Sequence, residues 1–118
     1  MQKVKAIFPS YLPYIKFIKQ DIKEQLVYKG NVDYIIHTAN TTSSKEMFQN
    51  PSNTIDTIIN GTKNILEFAK KKKVKSLIYL SSMEVYGEIP IDKNIKLKES
   101  DYGYLDILKP RNSYPEGK

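Results

Sequence analysis

A long amphipathic segment in the middle of the chain is the strongest constraint on its fold. From Ser52 to Lys72, apolar side chains recur at the i, i+3, i+4, i+7 spacing that buries one stripe of a helix. The stripe consists of Ile55, Ile58, Ile59, Thr62, Ile65, Leu66 and Ala69. Asn50-Pro51 is a start signal, and the lysine run from Lys70 to Lys73 lies where cations offset the helix macrodipole. We therefore predict a helix over Ser52 to Lys72, with the lysine run as a solvated helix end in preference to a phosphate-binding patch.

Short apolar runs on either side of this helix are typical of buried strands. Tyr34 to Thr38 precedes the helix and Ser76 to Ser81 follows it. Strand, helix and strand with short connections imply a right-handed crossover and a parallel pair, and hence an α/β fold. Upstream, Ile15 to Lys19 predicts a further strand and Ile22 to Tyr28 a short helix.

The last part of the chain is predicted to be a loop followed by the start of a helix. The stretch from Gly87 to Pro110 is polar and irregular, and a loop this long is uncommon in an α/β unit unless it serves a site. Ser113, followed three residues later by Glu116, forms a capping box with Pro115 in the first turn. We also expect Gly61, inside the long helix, to allow close approach of the helix backbone to the sheet.

The composition narrows the classes of protein. The chain has 118 residues, 40% of them hydrophobic, no cysteine and a net charge of +6. The lack of cysteine excludes disulfides and thiolate metal sites, and no metal site is predicted. No apolar run approaches the ~18 residues of a membrane span, and the N-terminus is unlike a secretory signal, so we expect a cytoplasmic protein without a membrane partner. Nucleic-acid readers usually employ arginine, and here Arg111 is the only one, which disfavours a basic nucleic-acid-binding protein.

The first candidate for chemistry is the pair Tyr114 and Lys118. Positions i and i+4 share a helix face, so a phenol and an ammonium can meet at one substrate atom. Free tyrosine ionises only near pH 10, and a neighbouring positive charge favours the phenolate that a proton-transfer reaction needs. The same spacing also occurs by chance in a helix start with an exposed lysine.

The second candidate is the polar segment from Ser81 to Gly87, which follows the predicted strand directly. Open α/β sheets bind their ligands at the carboxyl ends of parallel strands. Ser82 could hydrogen-bond a substrate oxygen, and Glu84 could act as an acid, a base or a hydroxyl anchor. A serine that ends the strand and a solvated glutamate are the alternative interpretation.

Taken together, the motifs resemble the extended short-chain dehydrogenase/reductase family, which includes nucleotide-sugar epimerases, dehydratases and decarboxylases. From Phe17 onward the resemblance covers nearly the whole chain. It is carried, in order, by Tyr34 to Ala39, Gly61 to Glu67, Ser81 to Gly87 and Tyr114 to Lys118. The stretches Gly103 to Asp106 and Pro110 to Lys118 are most similar to the UDP-glucuronate decarboxylase branch, and the dTDP-glucose 4,6-dehydratase branch is also similar.

The resemblance implies roles for the candidate catalytic residues. Tyr114 would be the base that removes a sugar hydroxyl proton while hydride passes to NAD. Lys118 would stabilise the phenolate and hold the nicotinamide ribose, and Ser82 would bridge Tyr114 and the sugar oxygen. Glu84 matches a carboxylate near C5 of the sugar in branches that eliminate or decarboxylate after oxidation.

It also implies a cofactor site and an assembly. Asp21 and Ile22 match a pair that contacts adenine. The turn beside the cofactor phosphates and ribose is matched by Thr38, Ala39 and Asn40. Thr57 matches a helix position that reaches the cofactor. The resemblance implies that Tyr114 and Lys118 contact the cofactor as well. The expected cofactor is NAD, the substrate a UDP- or dTDP-linked sugar, and the full-length parent a homodimer.

Several positions depart from the family pattern. Met83 stands where sugar dehydratases usually carry an aspartate, which disfavours dehydration, and Ile58 stands where many members carry an asparagine that contacts the cofactor. His37, the only histidine, is expected to be a packed strand residue and not a catalyst.

No glycine-rich pyrophosphate turn is present among the 5 glycines. We therefore predict that residues 1–118 form an incomplete NAD(P)-binding Rossmann-like domain, with strands 3 to 5 of a doubly wound parallel sheet and the intervening helices. Alone, it should neither bind NAD tightly nor turn over substrate. A truncated, non-catalytic remnant of such an enzyme is the alternative.

Overall fold

A computed structural model describes residues 7, 9–90 and 96–118, and all structural statements below concern these residues. The strands are β1 (Tyr34–His37) and β2 (Ser76–Tyr79). The α-helices are α1 (Ser44–Gln49), α2 (Pro51–Lys72) and α3 (Ser113–Gly117). Short 3-10 turns cover Pro9–Tyr14, Met83–Tyr86 and Pro110–Asn112.

Helix α2 confirms the prediction for the middle of the chain and begins one residue earlier than expected. Pro51 occupies the first turn, where its missing N–H costs no hydrogen bond. At the other end Lys73 adopts a left-handed conformation with φ of 53°, and its N–H bonds to the carbonyls of Ala69 and Lys70. Lysines fill the last turn, so the interpretation of this run as a helix end is confirmed.

Strands β1 and β2 form the predicted parallel pair, with Tyr34 opposite Ser76 and His37 opposite Tyr79. Exposure alternates along both strands, because successive side chains point to opposite faces of a sheet. Tyr34, Ile36 and Ile78 are exposed on one face. The other face is covered by α2, through contacts such as that between His37 and Thr62.

Helix α1 was missed by the sequence reasoning. The Ser43 hydroxyl accepts a hydrogen bond from the Glu46 N–H at 3.3 Å and caps the first turn. Met47 is the buried anchor of the helix. A helix of only six residues is too short to show the 3.6-residue periodicity on which the prediction depends.

The predicted strand from Ile15 to Lys19 is wrong, because these residues are irregular in the structure. A strand needs a neighbour to pair with, and in doubly wound order this run, as strand 3, would pair with strand 2, which has no counterpart among the described residues. The predicted helix from Ile22 to Tyr28 is also wrong. The chain turns at Asp21–Glu24 instead, since the Asp21 carboxylate accepts a hydrogen bond from the Lys23 N–H at 2.9 Å.

The turn after Asp21 is fastened to α2. The Asn64 side-chain amide donates to the carbonyls of Ile22 (2.8 Å) and Glu24 (3.2 Å). A Cβ on Gly61 would lie 2.6 Å from Ile22 Cδ1, so the glycine does permit a close approach. Its neighbour is the side chain of Ile22, however, and the expected approach to the sheet is wrong.

Helix α3 begins at Ser113 as expected, but the capping box is wrong. Ser113 already has helical dihedral angles, because the 3-10 turn Pro110–Asn112 runs directly into the helix, and so it cannot act as the cap. The Ser113 hydroxyl donates instead to the Met47 carbonyl at 3.4 Å. The other end of α3 packs on α2, since a Cβ on Gly117 would lie 3.0 Å from Cδ1 of the buried Ile58.

The segment before α3 is largely irregular, as predicted, although residues 91–95 of that prediction lie outside the described residues. One antiparallel bridge between Glu88 and Tyr104 closes it into a loop. Gly87 enters this loop with φ of 70°, a conformation that favours glycine. Within the described part of the chain, no helix has both the length and the apolar character to cross a membrane.

Candidate active site and cofactor cleft

The Lys118 ammonium lies at the carboxyl end of β2. Its Nζ donates to the Leu80 carbonyl at 2.6 Å. The same atom lies 4.7 Å from the ring centre of Tyr79 and 5.6 Å from that of Tyr114. Because the Lys118 N–H bonds to the Tyr114 carbonyl at 3.1 Å, the two residues stand one helical turn apart. The structure thus brings the predicted phenol and ammonium together beside the end of a parallel strand.

Ser82 and Glu84 lie in the short turn that follows β2. The Ser82 hydroxyl accepts a hydrogen bond from the Glu84 N–H at 3.2 Å and caps the 3-10 turn Met83–Tyr86. This bond shapes the turn and leaves the serine half-buried. Its hydroxyl is thus engaged within its own turn, and the predicted bridge from Ser82 to Tyr114 stays a prediction.

Glu84 carries an ion pair that sequence reasoning missed. Arg111 Nη2 donates to Glu84 Oε1 at 2.8 Å, and both side chains are partly shielded from solvent. The Arg111 guanidinium carbon also lies 5.7 Å from the centre of the Tyr114 ring. A signal was available in the sequence, since the only arginine of the chain stands three residues before Tyr114.

Most of the predicted cofactor residues surround a separate open cleft of about 670 Å³. Its walls come from the turn at Asp21, from the segment after β1 and from the first half of α2. The predicted residues in its lining are Asp21, Ile22, Ala39, Asn40 and Thr57. Thr38 is exposed at the end of β1 and lies outside this lining, as do Tyr114 and Lys118.

Asn40 is the least satisfied side chain in this cleft. Both its Oδ1 and its Nδ2 are buried, and among the described residues neither atom has a hydrogen-bond partner. Leaving one buried polar group unpaired costs about 1–3 kcal/mol, so an amide in this state is suited to a polar ligand.

His37 is packed in the interior, in contact with Thr62 and Tyr79. It is only 3% exposed, its Nε2 is 3.2 Å from the Thr62 hydroxyl, and its ring lies 5.3 Å from that of Tyr79. Burial, and then the positive charge of Lys118, lowers the pKa of His37 below its usual value. The interpretation of His37 as a packed residue is confirmed.

No cluster of three or more histidine, cysteine, aspartate or glutamate side chains in the described ranges could hold a metal ion.

A comparison with protein families identifies the chain over residues 5–118 as matching the NAD dependent epimerase/dehydratase family. The chain belongs to this family.

Curated enzymes that act on nucleotide-sugars by name resemble the chain at about one third identity. UDP-glucuronic acid decarboxylase 1 of Danio rerio is 35% identical over 87% of this chain and 23% of its own length. The dTDP-D-glucose 4,6-dehydratase of Dictyostelium discoideum is 31% identical over 86% of this chain and 24% of its own length. A bifunctional UDP-glucose and UDP-xylose 4-epimerase of Pisum sativum is 33% identical over 75% and 27%. The chain therefore spans about a quarter of the length of these relatives.

A comparison with a solved structure also supports the fold. The chain superimposes on RMD from Pseudomonas aeruginosa, complexed with NADPH, with a TM-score of 0.70. The match covers 98% of this chain and 42% of the other, at 24% sequence identity. The predicted α/β, Rossmann-like fold is confirmed.

Proposed function

We propose that this family member is the central part of an enzyme that transiently oxidises C4 of a nucleotide-linked sugar with NAD. The observation that carries the proposal is the position of Lys118. At the carboxyl end of β2, its ammonium lies 2.6 Å from the Leu80 carbonyl oxygen and 5.6 Å from the centre of the Tyr114 ring. Ligands of open parallel sheets bind at that end of the strands.

Tyr114 is the proposed base. Its phenolate oxygen takes the proton of the C4 hydroxyl as the C4–H bond breaks. Lys118 stabilises the phenolate by its positive charge, and Leu80 holds the ammonium in place through the 2.6 Å hydrogen bond. Ser82 presents a hydroxyl to the same sugar oxygen from the neighbouring turn.

Bound NAD would supply the hydride acceptor, and the cleft beside Asp21 offers groups suited to part of a dinucleotide. The unpaired Asn40 amide offers N–H donors to ribose or phosphate oxygens and a carbonyl acceptor to a ribose hydroxyl. Thr57 adds a hydroxyl from α2, and the turn at Asp21 and Ile22 offers a carboxylate and an apolar side chain to a base. We propose that residues 1–118 form the central part of an NAD-binding domain that other segments complete.

Decarboxylation is the proposed second step. Glu84 holds a carboxylate in the turn after β2, where it can accept or return a proton at C5 once C4 is a ketone. Loss of CO₂ from a C5 carboxylate needs no acid to expel water, which agrees with Met83 in place of an aspartate. UDP-glucuronic acid decarboxylases among the relatives favour the same step, so UDP-glucuronate is the proposed substrate. A dTDP-glucose 4,6-dehydratase-like reaction is the second candidate, because one relative carries that name.

The test is a product analysis with the full-length protein that contains this segment. It would be incubated with NAD and, separately, with UDP-glucuronate, UDP-glucose, UDP-xylose and dTDP-glucose, and the products identified by mass. A UDP-pentose formed with release of CO₂ is the expected result. Loss of water from dTDP-glucose would favour the second candidate. No product from any of the four sugars would favour a non-catalytic remnant.

We further propose that the full-length protein is a cytoplasmic homodimer that acts on soluble nucleotide-sugars, without a nucleic-acid or membrane partner. Light scattering of the full-length protein tests the dimer, and a gel shift at several salt concentrations tests for nucleic acid.

A further inference from the structure

We propose that Arg111 is a positioning residue that ties the Glu84 carboxylate to the helix bearing Tyr114. The inference rests on the proposed function for its chemical consequence, but the tie itself is a physical property of the chain. It concerns two segments whose paired residues, Glu84 and Arg111, are 27 positions apart in the sequence.

The bond between the two residues is short and charge-assisted. Arg111 Nη2 lies 2.8 Å from Glu84 Oε1, which is the distance typical of strong guanidinium–carboxylate hydrogen bonds. The arginine side chain is 30% exposed and the glutamate side chain 40%, so water screens the pair only in part. Such a pair holds the carboxylate more firmly than a fully exposed surface ion pair would.

Arg111 is anchored to the base side of the site as well. It lies in the 3-10 turn Pro110–Asn112, and the N–H of Ser113 bonds to the carbonyls of Pro110 and Arg111 as this turn continues into α3. The guanidinium carbon lies 5.7 Å from the Tyr114 ring centre, within range of a cation–π interaction. A movement of Arg111 would therefore disturb both Glu84 and Tyr114.

Neighbouring cations are already engaged elsewhere. Lys109 pairs with Glu88 at 3.6 Å and with Asp106 at 3.9 Å. The Lys118 ammonium donates to the Leu80 carbonyl. Within the described ranges, Arg111 is the cation that pairs with Glu84.

The second guanidinium nitrogen distinguishes arginine from lysine at this position. Arg111 Nη1 is buried, and no acceptor among the described residues reaches it. Rotation of the Glu84 carboxylate would bring its second oxygen to this donor and make the pair bidentate, a geometry that a lysine cannot form. We expect the bidentate pair to form when a substrate occupies the site, because it would fix the orientation of the Glu84 carboxylate.

A direct test of the tie uses nitrogen NMR of the chain. Arg111 is its only arginine, so its guanidinium signals need no separate assignment. In the native protein, rotation about the guanidinium bonds should be slowed by the Glu84 pair. Glu84→Gln should free the rotation, whereas Glu88→Gln, which affects the acceptor of Lys109, should leave it slow. Equal rotation in all three proteins would overturn the proposal, whatever reaction the enzyme performs.

The consequence for catalysis is tested in the full-length protein with NAD and the sugar on which it acts. Arg111→Met should lower kcat about 10- to 100-fold with KM changed less than about 3-fold, because a catalytic group misplaced by about 1 Å can cost ~100-fold in rate. Arg111→Lys should recover part of this loss. Lys109→Met is the matched control, and it should retain the native kcat.

A double variant separates positioning from general damage to the fold. If Arg111 acts through Glu84, Arg111→Met should cost much less in a Glu84→Gln background than in the native one. The proposal would be contradicted if Arg111→Met lowered kcat by the same factor in the Glu84→Gln background as in the native one. It would also be contradicted if Arg111→Met and Lys109→Met had the same kcat. A native full-length protein that converts none of the sugars would refute the proposed function, while the NMR measurement would still decide whether the tie exists.

Discussion

His37 carries a pH dependence that follows from its burial beside Lys118. Burial lowers its pKa in the folded chain, and the charge of Lys118 lowers it further, whereas the unfolded chain has the ordinary value of 6.5. Below that value the unfolded chain binds more protons than the folded one. The stabilising contribution of neutral His37 is therefore complete above pH 6.5 and is lost as the pH falls through the folded pKa.

We accordingly predict that the free energy of unfolding decreases as the pH is lowered from neutrality, and that His37→Gln flattens the first part of this decrease. Glutamine keeps a polar partner for Thr62 but does not titrate. Urea denaturation at several pH values measures the effect. His37 is the only histidine, so between about pH 5 and 7 it is the side chain expected to set the pH dependence of stability. The carboxylates contribute to that dependence below about pH 5. An unchanged slope in the variant above that pH would contradict the explanation.

At the residue scale, the sequence reasoning succeeded with local spacing and failed with long-range partners. The i, i+4 relation of Tyr114 and Lys118 holds because any helix imposes it. The pairing of Arg111 with Glu84 could not be derived in this way, since it joins distant segments whose approach depends on how α3 packs. The same packing gives the Ser113 hydroxyl a partner in α1 in place of the predicted cap.

The turn that lines the candidate cofactor cleft is held against α2 by the Asn64 side chain, among other contacts. We predict that Asn64→Ala lowers the free energy of unfolding by about 1–3 kcal/mol, because two backbone carbonyls lose their donor. Asn60→Ala on the same helix is the control. Among the described residues Asn60 donates to the part-exposed Asp56 side chain, so its loss should cost less than about 0.5 kcal/mol. Equal losses measured by urea denaturation would contradict the assigned role.

Gly87 ends the 3-10 turn Met83–Tyr86. Its φ of 70° and ψ of −164° are available almost only to glycine, and a Cβ there would lie 2.8 Å from the Tyr104 carbonyl oxygen. We predict that Gly87→Ala costs about 1–3 kcal/mol of stability. It should also weaken the bridge between Glu88 and Tyr104, which amide hydrogen exchange of Tyr104 would detect. Native-like exchange at that amide would argue against this role.

At the element scale, the accuracy of prediction followed the strength of the local pattern. Helix α2 and strands β1 and β2 were predictable because long periodicity and flanking apolar runs agree. The strand expected at Ile15 to Lys19 has the same local pattern, but a sheet also requires a partner, and no described residues pair with this run. Helix α1 depends on a single cap and one buried methionine, which is too little pattern to recognise.

The whole molecule leaves one face of its sheet uncovered. Tyr34, Ile36, Ile78 and Leu80 are exposed there. The radius of gyration is 17.3 Å, compared with about 13.5 Å expected for a compact domain of this length. We infer that further polypeptide is needed to complete the sheet and the cofactor site.

This inference predicts weak cofactor binding by the 118-residue chain. Calorimetric titration with NAD or NADH should give no micromolar affinity, because Asn40 and Thr57 alone cannot replace a glycine-rich pyrophosphate turn. The full-length protein should bind the same cofactor measurably under the same conditions. Micromolar binding by the 118-residue chain would show that the described cleft is sufficient.

The central claim is that Tyr114, activated by Lys118, removes the proton from a sugar hydroxyl. It is tested most directly by comparing Tyr114→Phe with Tyr102→Phe in the full-length protein, with turnover and NAD binding measured together. Each change removes one phenolic oxygen, but Tyr102 is exposed on the loop. We predict that Tyr114→Phe lowers kcat by about 100-fold or more with NAD binding retained, the scale typical of a lost general base, and that Tyr102→Phe has no effect. A Tyr114→Phe enzyme that turns over at the native rate would contradict the claim.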